Sequence, residues 1–199
     1  FGDVGCFSFF ADKTITIGEG GFVVTNDEQV YENMLYLRNQ GRINRGSFIH
    51  PEIGYNFRIT DIQAAIGLVQ MGKLSEIVDK KKTILKLYKE GLRGLNGIKV
   101  VEPPENSKSN HIPFRVVIMC EKGAEGLSSY FSENEIETRS VFYPLHKQPC
   151  YQKRFINKDE DFKVSLEAYK LGLCLPSYPA LEENKINFIC DTIKKYLLK

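Results

Sequence analysis

The chain has 199 residues, of which 42% are hydrophobic and 26% charged, and its formal net charge is +2 at pH 7. This composition is typical of a folded globular protein. It excludes a collagen-like chain, a disordered chain and a membrane-spanning protein, because no run approaches the ~20 apolar residues that a membrane helix needs. The balanced charge gives no reason to expect binding to nucleic acid or to an acidic membrane.

Five cysteines are spread along the chain. None of them forms the closely spaced pairs that are typical of zinc sites, so we expect no bound metal. An odd number of scattered cysteines indicates a reduced protein, and we therefore expect a cytoplasmic location.

The first 41 residues predict two strands followed by a helix. Residues 6–10 form an apolar, aromatic run that indicates a buried strand, and residues 22–25 form a second such run after a glycine-rich turn. Asn26 or Asp27 can cap a helix, which we expect to end at Gly41.

A second helix is predicted from residue 60 onwards. Thr60 and Gln63 have the spacing of a capping box, in which each side chain satisfies a free backbone donor at the start of a helix. The pattern can continue to about Gly91, and a helix of that length would span about 45 Å, enough to bridge two lobes. The basic run Lys80–Lys82 is most simply a solvated face of this helix.

The remainder of the chain predicts a smaller mixed region after a series of glycines. Residues 98–101 and 113–119 are candidate strands, and the apolar spacing around Leu127 indicates a helix. The chain closes with a helix whose apolar face carries Ile186, Ile189, Ile193 and Leu197. The alternation of strands and helices indicates an α/β fold.

Residues 8–13 place a hydroxyl and a lysine at the end of the first predicted strand, and the glycine-rich residues 18–21 follow. Considered alone, this pattern is more typical of a solvated lysine and a turn than of a site. It is neither a Walker loop nor a dinucleotide fingerprint, because the required glycine and lysine spacings are missing.

Three motifs in order nevertheless resemble one enzyme family. Residues 5–21 read GCFSFFADKTITIGEGG, residues 54–67 read GYNFRITDIQAAIG, and residues 137–151 contain ETR, YPLH and PCY. They are similar to segments of the DegT/DnrJ/StrS-type sugar-nucleotide aminotransferases, which are fold type I enzymes that use pyridoxal 5'-phosphate (PLP). The third segment is especially similar to the branch that makes GDP-perosamine.

The resemblance implies roles for three residues at the cofactor. Lys13 matches the lysine that binds PLP covalently and then carries a proton, tasks that suit a primary amine on a flexible stem. Ser8 matches a serine that donates to the cofactor phosphate. Asn56 matches an asparagine that reaches the phosphate in a neighbouring subunit, which implies a homodimer with shared active sites. From the residues alone, Ser8 is equally a locally bonded strand serine, and Asn56 is more simply a turn residue.

Four further residues are candidates for binding the sugar nucleotide, since its diphosphate and hydroxyls call for cationic and hydrogen-bonding side chains. They are Arg58, Arg139, Tyr143 and His146. A structural role for His146, with its ring bonded to the backbone, is at least as consistent with its aromatic loop.

The resemblance also implies the fold and the domains. We expect the C-terminal portion of a fold type I PLP-dependent transferase, with residues 1–92 as the trailing part of the large cofactor-binding domain, including the linking helix. Residues 93–199 should form a small α+β domain of antiparallel strands with helices against one face. In the family, a carboxylate pairs with the pyridine nitrogen and an aromatic ring stacks on the cofactor, and both are expected upstream of Phe1.

The implied reaction transfers an amino group from glutamate to the keto group of a nucleotide-linked 4-keto-6-deoxysugar. The first candidate substrate is GDP-4-keto-6-deoxymannose, which would give GDP-perosamine for a surface polysaccharide, and UDP- and dTDP-linked sugars stay open. The 199 residues alone are expected to be inactive, and one alternative is a non-catalytic fragment that retains dimer and small-domain surfaces. A sugar dehydratase is the other alternative, but dehydratases of this family carry histidine where this chain has Lys13.

Overall fold

The structure is a computed structural model that describes residues 2–44, 46–104, 106–108, 110–153 and 159–199. The chain divides into two compact units, Phe1–Glu76 and Ile77–Lys199, here called the N-terminal and C-terminal units. Among the described residues, none of the helices combines the length and the apolar character needed to cross a membrane.

The N-terminal unit begins with a two-stranded antiparallel sheet. Its strands are β1 (Val4–Ser8) and β2 (Gly21–Thr25), with Ser8 opposite Gly21 in the register. A side chain at position 21 would collide with the carbonyl oxygen of Phe7, so glycine is required where the strands meet. Strand β1 lies two residues earlier than predicted, because the backbone turns after Ser8 and the Phe10 carbonyl accepts a hydrogen bond from Lys13 N.

Two helices complete this unit, and local capping determines where each begins. Helix α1 (Glu28–Arg38) starts after Asp27, whose Oδ1 accepts from Val30 N at 3.0 Å. Helix α2 (Asp61–Gly72) starts with the predicted capping box, in which Thr60 and Gln63 exchange hydrogen bonds in both directions. Both predicted helix starts are confirmed.

The prediction of one long helix from residue 60 to about Gly91 is wrong, because this stretch forms two consecutive helices. Helix α2 ends at Gly72, and helix α3 (Leu74–Gly91) begins two residues later. At the junction, Lys73 N donates to the carbonyl oxygen of Gln70, three residues back instead of four. Glycine has little helix propensity, and this tightened last turn ends the ladder of α2. The division between the two units falls just inside α3, and the predicted domain boundary near residue 92 stays a prediction.

Among its described residues, the C-terminal unit contains a four-stranded antiparallel sheet and four helices, besides the part of α3 that belongs to it. Its elements in chain order are β3 (Ile98–Val100), β4 (Val116–Cys120), α4 (Ala124–Glu133), β5 (Arg139–Ser140), α5 (Pro149–Gln152), α6 (Lys163–Leu171), β6 (Gly172–Leu175) and α7 (Glu183–Leu197), with short 3-10 turns at Leu145–Lys147 and Asp159–Phe162. The strands are ordered β3–β4–β6–β5 in the sheet. The antiparallel sheet and the helices of a small α+β domain are therefore present, as predicted.

The hydrophobic core of this unit explains why the sheet and helices pack. Alternate residues of β4 are buried, as expected of a strand with one face on a core. They share one apolar cluster with side chains from α3, α4, β6 and α7, among them Tyr88, Phe131, Leu173, Ile186 and Ile193. The predicted apolar face of the last helix supplies three of its members, Ile186, Ile189 and Ile193.

One member of the lysine run is buried, which corrects the prediction of a solvated face. Lys81 is only 6% exposed, and its ammonium donates to the carbonyl oxygen of Phe114 at 2.9 Å and to that of Pro113 at 3.4 Å. Burial lowers the pKa of Lys81, and the positive charge of Arg115 lowers it further. The lysine thus connects α3 to the segment that leads into β4.

Candidate active site

Ser8 and Lys13 lie in one turn that directly follows β1. Lys13 N donates to the carbonyl oxygen of Phe10 at 3.0 Å, and Phe10 N donates to Ser8 Oγ at 3.2 Å. The Ser8 side chain is exposed and that of Lys13 is half-buried. A hydroxyl and a primary amine are therefore presented on the same short, hydrogen-bonded segment.

Hydrogen bonds from the glycine-rich segment hold this turn in place, and a further hydrogen bond joins that segment to the start of α2. Phe9 N donates to the carbonyl oxygen of Gly20 at 2.8 Å, and the Phe9 carbonyl accepts from Ile17 N and from Thr16 Oγ1. Gln63 Nε2 donates to the Glu19 carbonyl oxygen at 2.9 Å, so the same residue that caps α2 also holds the glycine segment. These bonds give the Lys13 turn a defined backbone instead of a free loop.

Asn56 and Arg58 form a second cluster in the same unit. Arg58 Nε donates to Asn56 Oδ1 at 2.9 Å, and Arg58 Nη1 donates to Asn39 Oδ1 at 2.8 Å. The arginine thereby orients the Asn56 amide, whose Nδ2 has no hydrogen-bond partner within the described ranges. Two donors are left for a ligand. Asn39 is a site residue that the sequence pattern did not indicate, although its position in a turn before Gly41 was a usable signal.

The backbone around Asn56 is held against the end of α1. Asn39 and Asn56 form an antiparallel bridge, while Tyr55 N donates to the Leu37 carbonyl oxygen at 2.7 Å. Close approach of Gly41 and Gly54 makes this bridge possible. A Cβ on Gly54 would collide with Gly41 N, and Gly41 itself has a positive φ of 70° that favours glycine.

We expect Gly54→Ala to destabilise the N-terminal unit by about 1–3 kcal/mol, the usual cost of forcing an extra carbon into a packed site. Hydrogen exchange of the Tyr55 and Phe57 amides should accelerate, because their bridge to α1 opens. Gly72→Ala is the matched control, since a Cβ there meets no atom within 4 Å. Equal exchange rates of the Tyr55 and Phe57 amides in the two variants would contradict the close approach of Gly41 and Gly54.

The three remaining predicted residues lie in the C-terminal unit. Arg139 is exposed in β5 and lies 3.6 Å from a carboxylate oxygen of Glu137. The Tyr143 ring packs edge-on against Tyr169, with centroids 5.1 Å apart. These side chains are therefore placed by contacts within the unit itself, and their roles in binding stay predictions.

His146 is the most enclosed of the predicted residues, at 7% exposure. Its ring stacks on Phe162 with centroids 4.4 Å apart, and its Nε2 lies 3.4 Å from Asp159 Oδ1, too poorly aligned for a hydrogen bond. Lys147 Nζ donates to the other oxygen of Asp159 at 2.9 Å, and this bond lowers the pKa of Asp159. Within the described residues the ring makes no hydrogen bond to the backbone, so burial agrees with a structural role for His146 but the expected backbone bond is not found. Its role in substrate binding stays a prediction.

Comparison with known proteins identifies the class and the family. GDP-perosamine synthases of Escherichia coli O157:H7 and Vibrio cholerae are each 35% identical to the chain over 98% of its length, which corresponds to 52% and 53% of those proteins. The structure of Helicobacter pylori PseC, an aminotransferase involved in the biosynthesis of pseudoaminic acid, superposes with a TM-score of 0.89 at 25% identity and covers 98% of this chain and 53% of that one. The chain spans about half the length of the curated relatives it matches.

The fold is thus that of the C-terminal portion of a fold type I PLP-dependent aminotransferase. The sequence model of the DegT/DnrJ/EryC1/StrS aminotransferase family matches residues 1–194. The chain belongs to this family of sugar aminotransferases, whose enzymes depend on PLP.

Proposed function

We propose that the protein carrying this chain is a PLP-dependent aminotransferase that acts on a nucleotide-linked 4-keto-6-deoxysugar. The observation that carries this proposal is the Lys13 turn. It carries the half-buried Lys13 side chain and the Ser8 hydroxyl on one hydrogen-bonded segment, in a chain whose family uses a lysine for transamination. Residues 1–92 would then belong to the cofactor-binding domain and residues 93–199 to the small domain.

The donor chemistry of the N-terminal unit fits PLP. A primary amine can bind the cofactor aldehyde covalently, and a hydroxyl and an amide NH₂ are suitable donors for its phosphate dianion. When bound, PLP withdraws electrons from the carbon that bears the amino group and so makes its proton acidic. Lys13 Nζ would then carry a proton between the substrate carbon and the cofactor carbon. Ser8 Oγ would hold the phosphate end, which keeps the reacting atoms in place.

We further propose a homodimer in which Asn56 of each subunit completes the other subunit's site. The segment around Asn56 is rich in exposed apolar side chains. Phe48, Ile53 and Phe57 are 80%, 83% and 70% exposed. Aromatic and aliphatic surface of this extent is typical of a protein interface. The free donors of Asn56 lie within the same segment, so a covering subunit would receive them.

Glutamate would be the amino donor, and the first candidate acceptor is GDP-4-keto-6-deoxymannose, because the two perosamine synthases are similar over nearly the whole chain. Arg58, Arg139, Tyr143 and His146 would contact the sugar nucleotide. We propose a cytoplasmic location, which is consistent with the five free thiols of the chain.

The experiment that tests the function uses the full-length protein loaded with PLP and supplied with glutamate and GDP-, UDP- or dTDP-linked 4-keto-6-deoxysugars. We expect an amino sugar and an equal amount of 2-oxoglutarate, with the GDP-linked acceptor reacting fastest. Loss of a sugar hydroxyl without consumption of glutamate would establish the dehydratase alternative. No turnover and no PLP binding would establish the non-catalytic alternative.

A further inference from the structure

A cleft beside α1 in the N-terminal unit brings together three arginines. Its volume is about 510 Å³, and Arg38, Arg42 and Arg58 contribute to its walls together with neutral polar groups such as Asn39. Glu32 is the one acidic residue among its lining residues. Three positive charges and one negative charge leave the described lining with a formal charge of +2. In the part of the chain that the structure describes, none of the three arginines forms an ion pair with a carboxylate.

Neutral partners orient two of the guanidinium groups without cancelling their charge. Arg58 donates to the amide oxygens of Asn56 and Asn39. Arg42 Nη2 donates to Gln40 Oε1 at 2.7 Å, and its guanidinium carbon lies 5.0 Å from the centre of the Phe48 ring. Both side chains are therefore held in place by uncharged groups, which leave the positive charge of the cleft without a countercharge from these partners.

Arg42 also carries an unsatisfied donor. Its Nε is buried and has no hydrogen-bond partner within the described residues. A buried charged donor without an acceptor is costly, so such a group usually has a partner that the protein itself does not supply. The planar fork of a guanidinium group matches the paired oxygens of a carboxylate or a phosphate.

We propose that this cleft is a binding site for a multiply charged oxyanion and that Arg42 is its principal contact, with Arg38 and Arg58 adding charge. A volume of about 510 Å³ lies within the range of small-molecule sites. The source of the anion rests on the proposed function, since both the nucleotide diphosphate and the two carboxylates of glutamate have this chemistry. The arms of the experiment separate these two sources.

Isothermal titration calorimetry of the purified full-length protein with pyrophosphate and, separately, with glutarate tests the proposal. At least one of the two anions should bind. Arg42→Gln should raise the dissociation constant of that anion by about tenfold or more, which is the typical effect of losing a hydrogen bond from a charged group. Arg38→Gln should weaken it less, because its side chain is more exposed. Lys73→Gln removes the same charge from an exposed position outside the cleft and should leave affinity unchanged.

The outcomes have distinct meanings. Tighter binding of pyrophosphate assigns the cleft to the nucleotide, and tighter binding of glutarate assigns it to the amino donor. Absence of binding by both anions, or equal affinity of Arg42→Gln and Lys73→Gln, would overturn the proposal. Circular dichroism verifies that Arg42→Gln is folded, and Arg38→Gln supplies the comparison if it is not. PLP absorbance is recorded in parallel, so failure of the cleft is distinguishable from failure of the proposed function.

Discussion

Lys13→Ala is expected to abolish PLP binding in its covalent form and to reduce transamination on the order of 10³-fold or more. The physical reason is that, in the proposed function, one amine would perform two tasks, since it would bind the cofactor aldehyde and would also carry the proton between the substrate carbon and the cofactor carbon. Neither the neighbouring Ser8 hydroxyl nor the backbone of the turn can do both. The measurement is the visible absorption band of the enzyme-bound cofactor, together with the rate of 2-oxoglutarate release.

The control for this variant is Lys73→Ala, which removes an exposed lysine from the end of α2. It should retain both the absorption band and the activity. Adding a small primary amine such as methylamine should partly restore proton transfer in Lys13→Ala, because the missing group is supplied from solution. A Lys13→Ala protein that keeps a borohydride-reducible cofactor band would show that another residue holds the cofactor.

Lys81→Met is expected to lower the free energy of unfolding by about 2 kcal/mol. The substitution keeps most of the side-chain volume but removes the donor that serves the carbonyl oxygens of Pro113 and Phe114. Acceptors left without a partner at a buried position typically cost about 1–3 kcal/mol. Urea denaturation of the full-length protein measures the effect.

Lys86→Met is the matched control, because it makes the same change on the same helix at a position where the side chain is 75% exposed. Its ion pair with Glu90 is long and exposed, so its loss should alter stability by less than about 0.5 kcal/mol. If the two variants unfold at the same urea concentration, the prediction that the buried Lys81 stabilises the folded protein is wrong.

The pH dependence of unfolding distinguishes a buried lysine from simple loss of packing. The pKa of Lys81 is lowered from its ordinary 10.5, mainly because the side chain is buried and to a smaller extent because Arg115 is positively charged. Between the lowered pKa and 10.5, the unfolded chain binds more protons than the folded one, so this group makes stability rise with pH. The difference in unfolding free energy between the wild type and Lys81→Met should therefore widen as the pH rises through this window. A difference independent of pH would contradict the lowered pKa.

Local chemistry explains the elements that the sequence predicted well. The Asp27 cap, the Thr60–Gln63 capping box and the apolar face of α7 depend on residues within a few positions of one another. Such patterns can be recognised in the sequence because the residues that stabilise each other are close together in the chain.

Other features were missed because their causes are distant in the chain. Strand β6 has a readable apolar run, yet it is a strand only because it pairs with β4, more than 50 residues earlier. Asn39 is an ordinary turn residue until Arg58 donates to it. Neither relationship has a local signature.

The sequence by itself determined the family motifs, the identity of the cofactor-lysine candidate and the starts of α1 and α2. Only the tertiary structure decided that Lys81 is buried, that α2 and α3 are separate helices, and that Arg38, Arg42 and Arg58 line one cleft. The reason is that burial and charge clustering depend on which surfaces the folded chain brings together. The spacing of residues along a helix or strand predicts a face, but it does not predict what that face meets.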